Sequence, residues 1–327
     1  MPAKLYAITC GRLVGRLKDM IEGEDGEVVL PIPSYLIEHP KGRALFDTGM
    51  HPQCRTDAAG RLGERVARIF GFEQYGAQDD VKSRLESIDR DPGKVDFIVN
   101  SHLHFDHAGG NELVPNATMV VQRREWQAAQ DPETAAKVGF FKADFDHGHP
   151  VKQVEGEHDL FGDGSVVCIP TYGHTPGHQS LKVRTATGEV VLTGDACYFC
   201  RTLRERRLPR FVYDREQMLA SLDRLEALEQ GGAKLFFGHD PDFWKDVPQA
   251  PAPAFLTDFP PLRGFREGEV SPSYGDGGVM VGASEELDPS ARCAGTSPSK
   301  RGGGEDRAPK TTPARPRPTR PARPGSP

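Results

Sequence analysis

The chain has 327 residues, enough for one large domain or two, and a formal net charge of −6. From Arg292 onward seven Arg and two Lys stand against Glu305 and Asp306, so this segment carries +7 and the rest −13; such an acidic body excludes a nucleic-acid substrate, which needs clustered Lys and Arg. Six scattered cysteines exclude a disulfide framework, MPAKLYAITCG lacks the apolar region of a signal peptide, and no run approaches ~18 apolar residues, so a soluble cytoplasmic protein without membrane contact is expected.

Taken in chain order, residues 4–9 and 28–38 read as strands. Residues 11–26 set Met20 and Ile21 among charges and read as a mobile loop outside the core. Residues 43–47 (RALFD) form a further strand closed by Thr48-Gly49, and residues 61–72 and 79–88 carry helical spacing, stopped before Asp91-Pro92. Residues 94–100 (KVDFIVN) are a short apolar run ending in a polar residue, a buried strand running into a loop.

That loop is Ser101-His102-Leu103-His104-Phe105-Asp106-His107-Ala108-Gly109-Gly110. In an extended segment His102, His104 and Asp106 lie on one side, because side chains alternate with period two, and His107 faces another way. Four ligands can then be split between two neighbouring cations, and imidazole plus carboxylate without thiolate suits zinc or a similar divalent ion.

Downstream, residues 117–122 read as a strand and 124–130 as a helix stopped near Pro132, while 139–163 are irregular and rich in His, Gly and acids. Strands return at 165–169, 179–184 and 189–193. Residues 214–230 are the clearest helix: Asp214 and Gln217 can form a capping box, Met218, Leu219, Leu222, Leu225 and Leu228 make one apolar stripe, and Gly231 ends it. Residues 234–237 are a last strand before Gly238-His239-Asp240. Past about Pro253 the character changes: residues 267–327 are dominated by Gly, Pro, Ser, Arg and Thr with almost no large apolar side chains, and 254–327 read as a disordered tail behind a domain at 1–253.

Four ligands in one loop do not complete two metal shells. Strand-end positions supply the rest: His174 in TYGHTPGHQSL, Asp195 in VVLTGDACYF and His239 in LFFGHD. The set becomes His102, His104 and His174 for one metal and Asp106, His107 and His239 for the other, with Asp195 bridging through its two oxygens. Two ions ~3.5–4 Å apart can hold a bridging hydroxide and polarise a carbonyl at once.

With these seven positions in order, the chain resembles the metallo-β-lactamase superfamily, and within it the N-acyl-homoserine lactonases. The resemblance covers roughly residues 1–253 and rests on SHLHFDHAGGN, HTPGHQSL, FFGHD and Tyr198, three residues after Asp195, where the lactonases carry a tyrosine. It implies an αβ/βα four-layer sandwich with two Zn²⁺ ions per chain at one edge, and leaves a homodimer open. It implies hydrolysis of N-acyl-homoserine lactones and so quorum quenching: a bridging hydroxide attacks the lactone carbonyl, Tyr198 and one metal stabilise the oxyanion, and Asp106 passes the proton to the ring oxygen. The alternatives are a same-fold hydrolase of another small lactone, such as 4-pyridoxolactone, or a thioesterase of glyoxalase II type.

Around this core, Asp47 is expected to orient a histidine or the loop. Phe105 is expected at the cleft wall or in packing, and His178 in packing or hydrogen bonding near the site. Cys197 and Cys200 are expected as ordinary reduced thiols. The second H-x-H, His147 and His149, sits in an irregular acidic loop with no ligand left to supply, and His39, His51 and His158 read as surface or loop residues.

Overall fold

The computed structural model describes residues 2–254. The tail expected at 254–327 lies, from residue 255 on, outside the described residues.

Six strands build the first sheet, in the order β1 (Lys4–Arg16), β2 (Glu27–His39), β3 (Gly42–Phe46), β4 (Phe97–Val99), β5 (Thr118–Gln122) and β6 (Val151–Val154). The second sheet holds β7 (His158–Asp159), β8 (Val166–Pro170), β9 (Gln179–Thr185), β10 (Gly188–Leu192) and β11 (Lys234–Phe236), ordered β11-β10-β9-β8-β7. Between and after these strands run α1 (Leu17–Met20), α2 (Cys54–Ile69), α3 (Val81–Glu86), α4 (Phe105–Ala108), α5 (Arg123–Gln130), α6 (Pro132–Val138), α7 (Cys200–Glu205), α8 (Arg215–Gln230) and α9 (Pro241–Trp244).

Alternating side chains divide the first sheet's contacts between two layers. Leu5, Ala7, Tyr35, Ile37, Ala44, Phe46, Val99 and Val120 join one core with Val166, Cys168, Leu181, Val183 and Val190 of the second sheet. Their sequence neighbours Tyr6, Ile8, Leu36, Leu45 and Ile98 pack with Val81 and Leu85 of α3 instead. Met119 and Val121 meet Ala128 and Ala129 of α5. On the second sheet's side, Met218, Leu222 and Leu225 of α8 are buried, with Leu219 and Leu228 half-buried against the same core. Two sheets with helices on them make the αβ/βα sandwich.

Parallel pairing brings the loops of interest together. β3 and β4 run parallel with Phe46 beside Val99, so Asp47 and Asn100-Ser101 leave the sheet side by side. β10 and β11 run parallel with Leu192 beside Phe236, so Asp195 and His239 do likewise.

The segment 11–26 departs from its expectation as a mobile loop. β1 continues to Arg16 across an irregularity between Thr9 and Arg12, and α1 follows. Met20 and Ile21 are fully buried, and burying side chains of this size contributes ~1.5–3 kcal/mol each. The surrounding charges are paired: Asp19 with Arg16 and Arg210, Glu22 with Arg215, and Glu24 with Arg201 and Arg207. Strand β6 and the short β7 also lie in the region read as irregular, because each is too short to show a period. His39 is buried rather than at the surface, its ring stacked on Phe161 at 4.3 Å and bonded to Asp163 at 3.0 Å.

At the crossing of the two parallel strand ends, Thr48 N–H donates to His107 O (2.8 Å) and Gly110 N–H to Gly49 O (3.1 Å). A Cβ on Gly110 would sit 2.3 Å from Thr48 O, a backbone atom that cannot rotate away. Gly110→Ala is therefore expected to lower the unfolding free energy by about 1–3 kcal/mol in urea titration. A change within ~0.5 kcal/mol would show that the crossing has slack.

Candidate metal centre

Among the described residues two groups of donors converge. His102, His104, His174 and Asp195 form one, and Asp106, His107 and His239 the other, with the ligating atoms of each within 4.8 Å of one another. The extended stretch ends at His104, which caps the N-terminus of α4, so Asp106 and His107 stand on a helical turn. This corrects the alternation that put His102, His104 and Asp106 on one side, since the donors of this stretch divide between the two groups. His174 comes from the β8–β9 connection, Asp195 from the end of β10 and His239 from the end of β11.

Asp195 faces both groups. Its Oδ1 lies 3.1 Å from His107 Nε2 and 3.0 Å from His239 Nε2. Its Oδ2 lies 3.3 Å from His174 Nε2 and 3.8 Å from His102 Nε2. Asp106 Oδ2 completes the second group at 3.6 Å from His107 Nε2 and 3.8 Å from His239 Nε2.

The outer nitrogen of every ring is already committed. His104 Nε2, His174 Nδ1 and His239 Nδ1 donate to the carbonyls of Val138 (3.0 Å), Phe211 (2.7 Å) and Pro31 (2.9 Å). His107 Nδ1 donates to Asp47 at 2.8 Å. The Ser101 hydroxyl donates to Asp47 (2.8 Å) and accepts from His102 Nδ1 (2.9 Å). In neutral rings the inner nitrogens then carry lone pairs, as metal-bound histidines do. Yet His104 Nδ1 stands 2.9 Å from His102 Nε2 and 3.0 Å from His174 Nε2, and lone pairs at that distance repel. His107 Nε2 and Asp195 Oδ1 are buried with no hydrogen-bond partner. A tetrahedral cation with ~2.0–2.1 Å bonds sets its donors ~3.3 Å apart, inside the range found here, so the residues fit divalent ions such as zinc.

Burial lowers the pKa of His102, His104 and His174, which keeps these rings neutral. Burial acts the same way on His107 and His239, but the charges of Asp195 and Asp106 outweigh it and raise both.

Asp47 takes the orienting position expected of it, accepting from Ser101 N–H (2.6 Å) as well as from Ser101 Oγ and His107. His178 hydrogen-bonds beside the site, its Nε2 accepting from Asp195 N–H at 3.0 Å and its Nδ1 donating to Thr171 Oγ1 at 2.9 Å. Burial holds His178 down to about 3, in keeping with a neutral acceptor. Tyr198 is buried between the rings of His174 and His239, with centroids at 5.7 and 5.1 Å. Burial, with Asp195 and Asp106 beside it, keeps that phenol protonated. Phe105, Tyr198, Met20 and Ile21 belong to one apolar cluster beside the metal ligands.

His147 and His149 join neither donor group. Cys197 is a free buried thiol as expected. Sequence reasoning missed Glu125, whose buried carboxylate meets both the H-x-H loop and the loop of His174. One acid in the first turn of a polar helix carries no signal that sets it apart.

A model of the metallo-beta-lactamase superfamily matches residues 28–239. The chain belongs to that superfamily. Among its relatives, N-acyl homoserine lactonase AttM of Azorhizobium caulinodans is 34% identical over 257 residues, covering 76% of this chain and 97% of its own length. N-acyl homoserine lactonase AiiA of Bacillus thuringiensis subsp. kurstaki is 34% identical over 241 residues, 72% of this chain and 93% of its own. A solved N-acyl homoserine lactone hydrolase with the product N-hexanoyl-L-homoserine at its catalytic metal centre superposes with a TM-score of 0.70 at 31% identity, covering 77% of this chain and 100% of that one. The relatives are thus hydrolases of a lactone ester. Among the described residues no helix is long and apolar enough to cross a membrane.

Because the donors converge only in the folded state, cations should stabilise it. Zinc at ~100 times its Kd is expected to add about 2.7 kcal/mol per site to chelator-stripped protein, raising its Tm by roughly 5–10 °C in calorimetry. A Tm unmoved by zinc would remove the metal reading.

Proposed function

We propose that the domain at residues 1–253 opens the ring of N-acyl-homoserine lactones at a dinuclear zinc centre, and so acts as a quorum-quenching enzyme. The observation that carries this reading is the pair of donor triads sharing Asp195 beside Tyr198, in a chain whose relatives act on those lactones. His102, His104 and His174 would hold one ion, Asp106, His107 and His239 the other, and Asp195 both. Bound there, the ions supply a nucleophile from water at neutral pH and Lewis acidity toward the carbonyl.

The chain's own groups do the rest. The Tyr198 hydroxyl, protonated in its buried position, donates toward the oxygen that gains charge as the carbonyl becomes tetrahedral. Asp106, the more accessible of the two ligand carboxylates, takes the proton released on attack and returns it to the ring oxygen as the C–O bond breaks. The ring opens to an N-acyl-homoserine with no covalent bond to the protein. Phe105 stands nearest the donors to meet the acyl chain, and Met20 and Ile21, fully buried, pack in the same apolar cluster.

Acid release from short- and long-chain lactones by zinc-loaded protein tests this reading. Asp106→Asn is expected to lose about 10²–10⁴-fold in kcat. Tyr198→Phe, which removes one hydrogen bond to a developing charge, is expected to lose roughly 10–100-fold. Metal content is measured on each variant, so that lost zinc is told from lost proton transfer. Wild-type protein with two zinc ions and no turnover would overturn the substrate; turnover of 4-pyridoxolactone or of thioesters alone would reassign it.

A further inference from the structure

We propose that Glu125 is the positioning residue of the three-histidine half of the metal centre, an inference that rests on the two-cation reading above. Glu125 is completely buried in the first turn of α5. Its Oε1 accepts from Leu103 N–H at 3.1 Å, and its Oε2 from Thr175 Oγ1 at 2.8 Å and Gly177 N–H at 2.7 Å. Leu103 stands between His102 and His104, and Thr175 follows His174. One carboxylate therefore ties together the two loops that bring all three rings of that half.

The helix itself reaches this loop. A Cβ on Gly177 would fall 2.2 Å from Glu125 N, so backbone packs on backbone there. The carboxyl group is held by three donors from these loops, and burying so polar a group is costly unless its hydrogen-bond partners are fixed. Asp47, by contrast, reaches both halves: it accepts from His107 Nδ1 directly and from the Ser101 hydroxyl that holds His102 Nδ1. Glu125 is thus the acid whose contacts are confined to the loops of one ion. In Glu125→Gln the amide keeps one acceptor oxygen and turns an NH₂ toward a donor, so one of the two loops is released.

A plain core role would weaken both ions alike, and the test separates the two. Metal-stripped full-length chain is titrated with Cd²⁺ and followed by cadmium NMR, in which each bound ion gives its own line. The line lost in His104→Ala marks the three-histidine half. Glu125→Gln is expected to weaken that ion ~10–100-fold, the usual effect of removing a group that orients ligands, and to leave the other within about 3-fold. Asp47→Asn, which loosens His107 directly and His102 through Ser101, is expected to weaken both ions. Thr175→Val removes one donor without changing charge and should weaken the same ion by less; it decides the matter if Glu125→Gln does not fold. Equal weakening of both lines, or unchanged affinities in folded variants, would overturn the role of Glu125. Wild-type protein that binds fewer than two Cd²⁺ would instead remove the two-cation reading, and this inference with it.

Discussion

Seven donors, five of them buried, converge on one another, and the rest of the site depends on keeping them there. Each outer N–H is spent on a carbonyl, a hydroxyl or a carboxylate, so in a neutral ring the inner nitrogen has only a lone pair to present. Leaving a buried polar atom unsatisfied costs ~1–3 kcal/mol, and several such atoms meet here. Without cations the cluster would relax apart unless its backbone were fixed from outside. The frame comes first, and the metal chemistry is built on it.

The frame has two parts. Parallel strand pairs set the loop origins, β3 beside β4 and β10 beside β11, so that ligands distant in sequence leave neighbouring strand ends. Buried acids then hold the loops: Asp47 at Ser101 and His107, Glu125 at Leu103 and the loop after His174. Asp47 does so at a φ of 60°, a left-handed backbone uncommon outside glycine. Such a conformation persists where its surroundings over-determine it, and three hydrogen bonds to one side chain supply that.

The converging donors were legible because they follow apolar β runs, and four of them stand within six residues. The helix at Arg215–Gln230 was legible for a similar reason, since its stripe repeats over four turns and Asp214 accepts from Gln217 N–H at its start. Glu125 and the hydrogen bond of His178 to Asp195 were of another kind. Their roles lie in contacts between distant loops, and no local period encodes which buried acid meets which amide. The α4 turn was missed at the H-x-H-x-D-H stretch because four residues are too few to distinguish helix from extended chain.

The segment 11–26 shows which of two opposed signals wins. Its charges suggested solvent, yet Met20 and Ile21 are buried with Phe105 and Tyr198. Exposed ion pairs such as Glu22 with Arg215 contribute ~0–1 kcal/mol each, less than burying either apolar side chain. Apolar contact therefore fixes where the segment lies, and the pairs choose which basic stretch it lies against, the one between Arg201 and Arg215. That stretch begins three residues after Tyr198 and contains Phe211, whose carbonyl holds the ring of His174. The apolar segment and the three-histidine half thus lean on the same length of chain, and a change in how one packs is felt at the other.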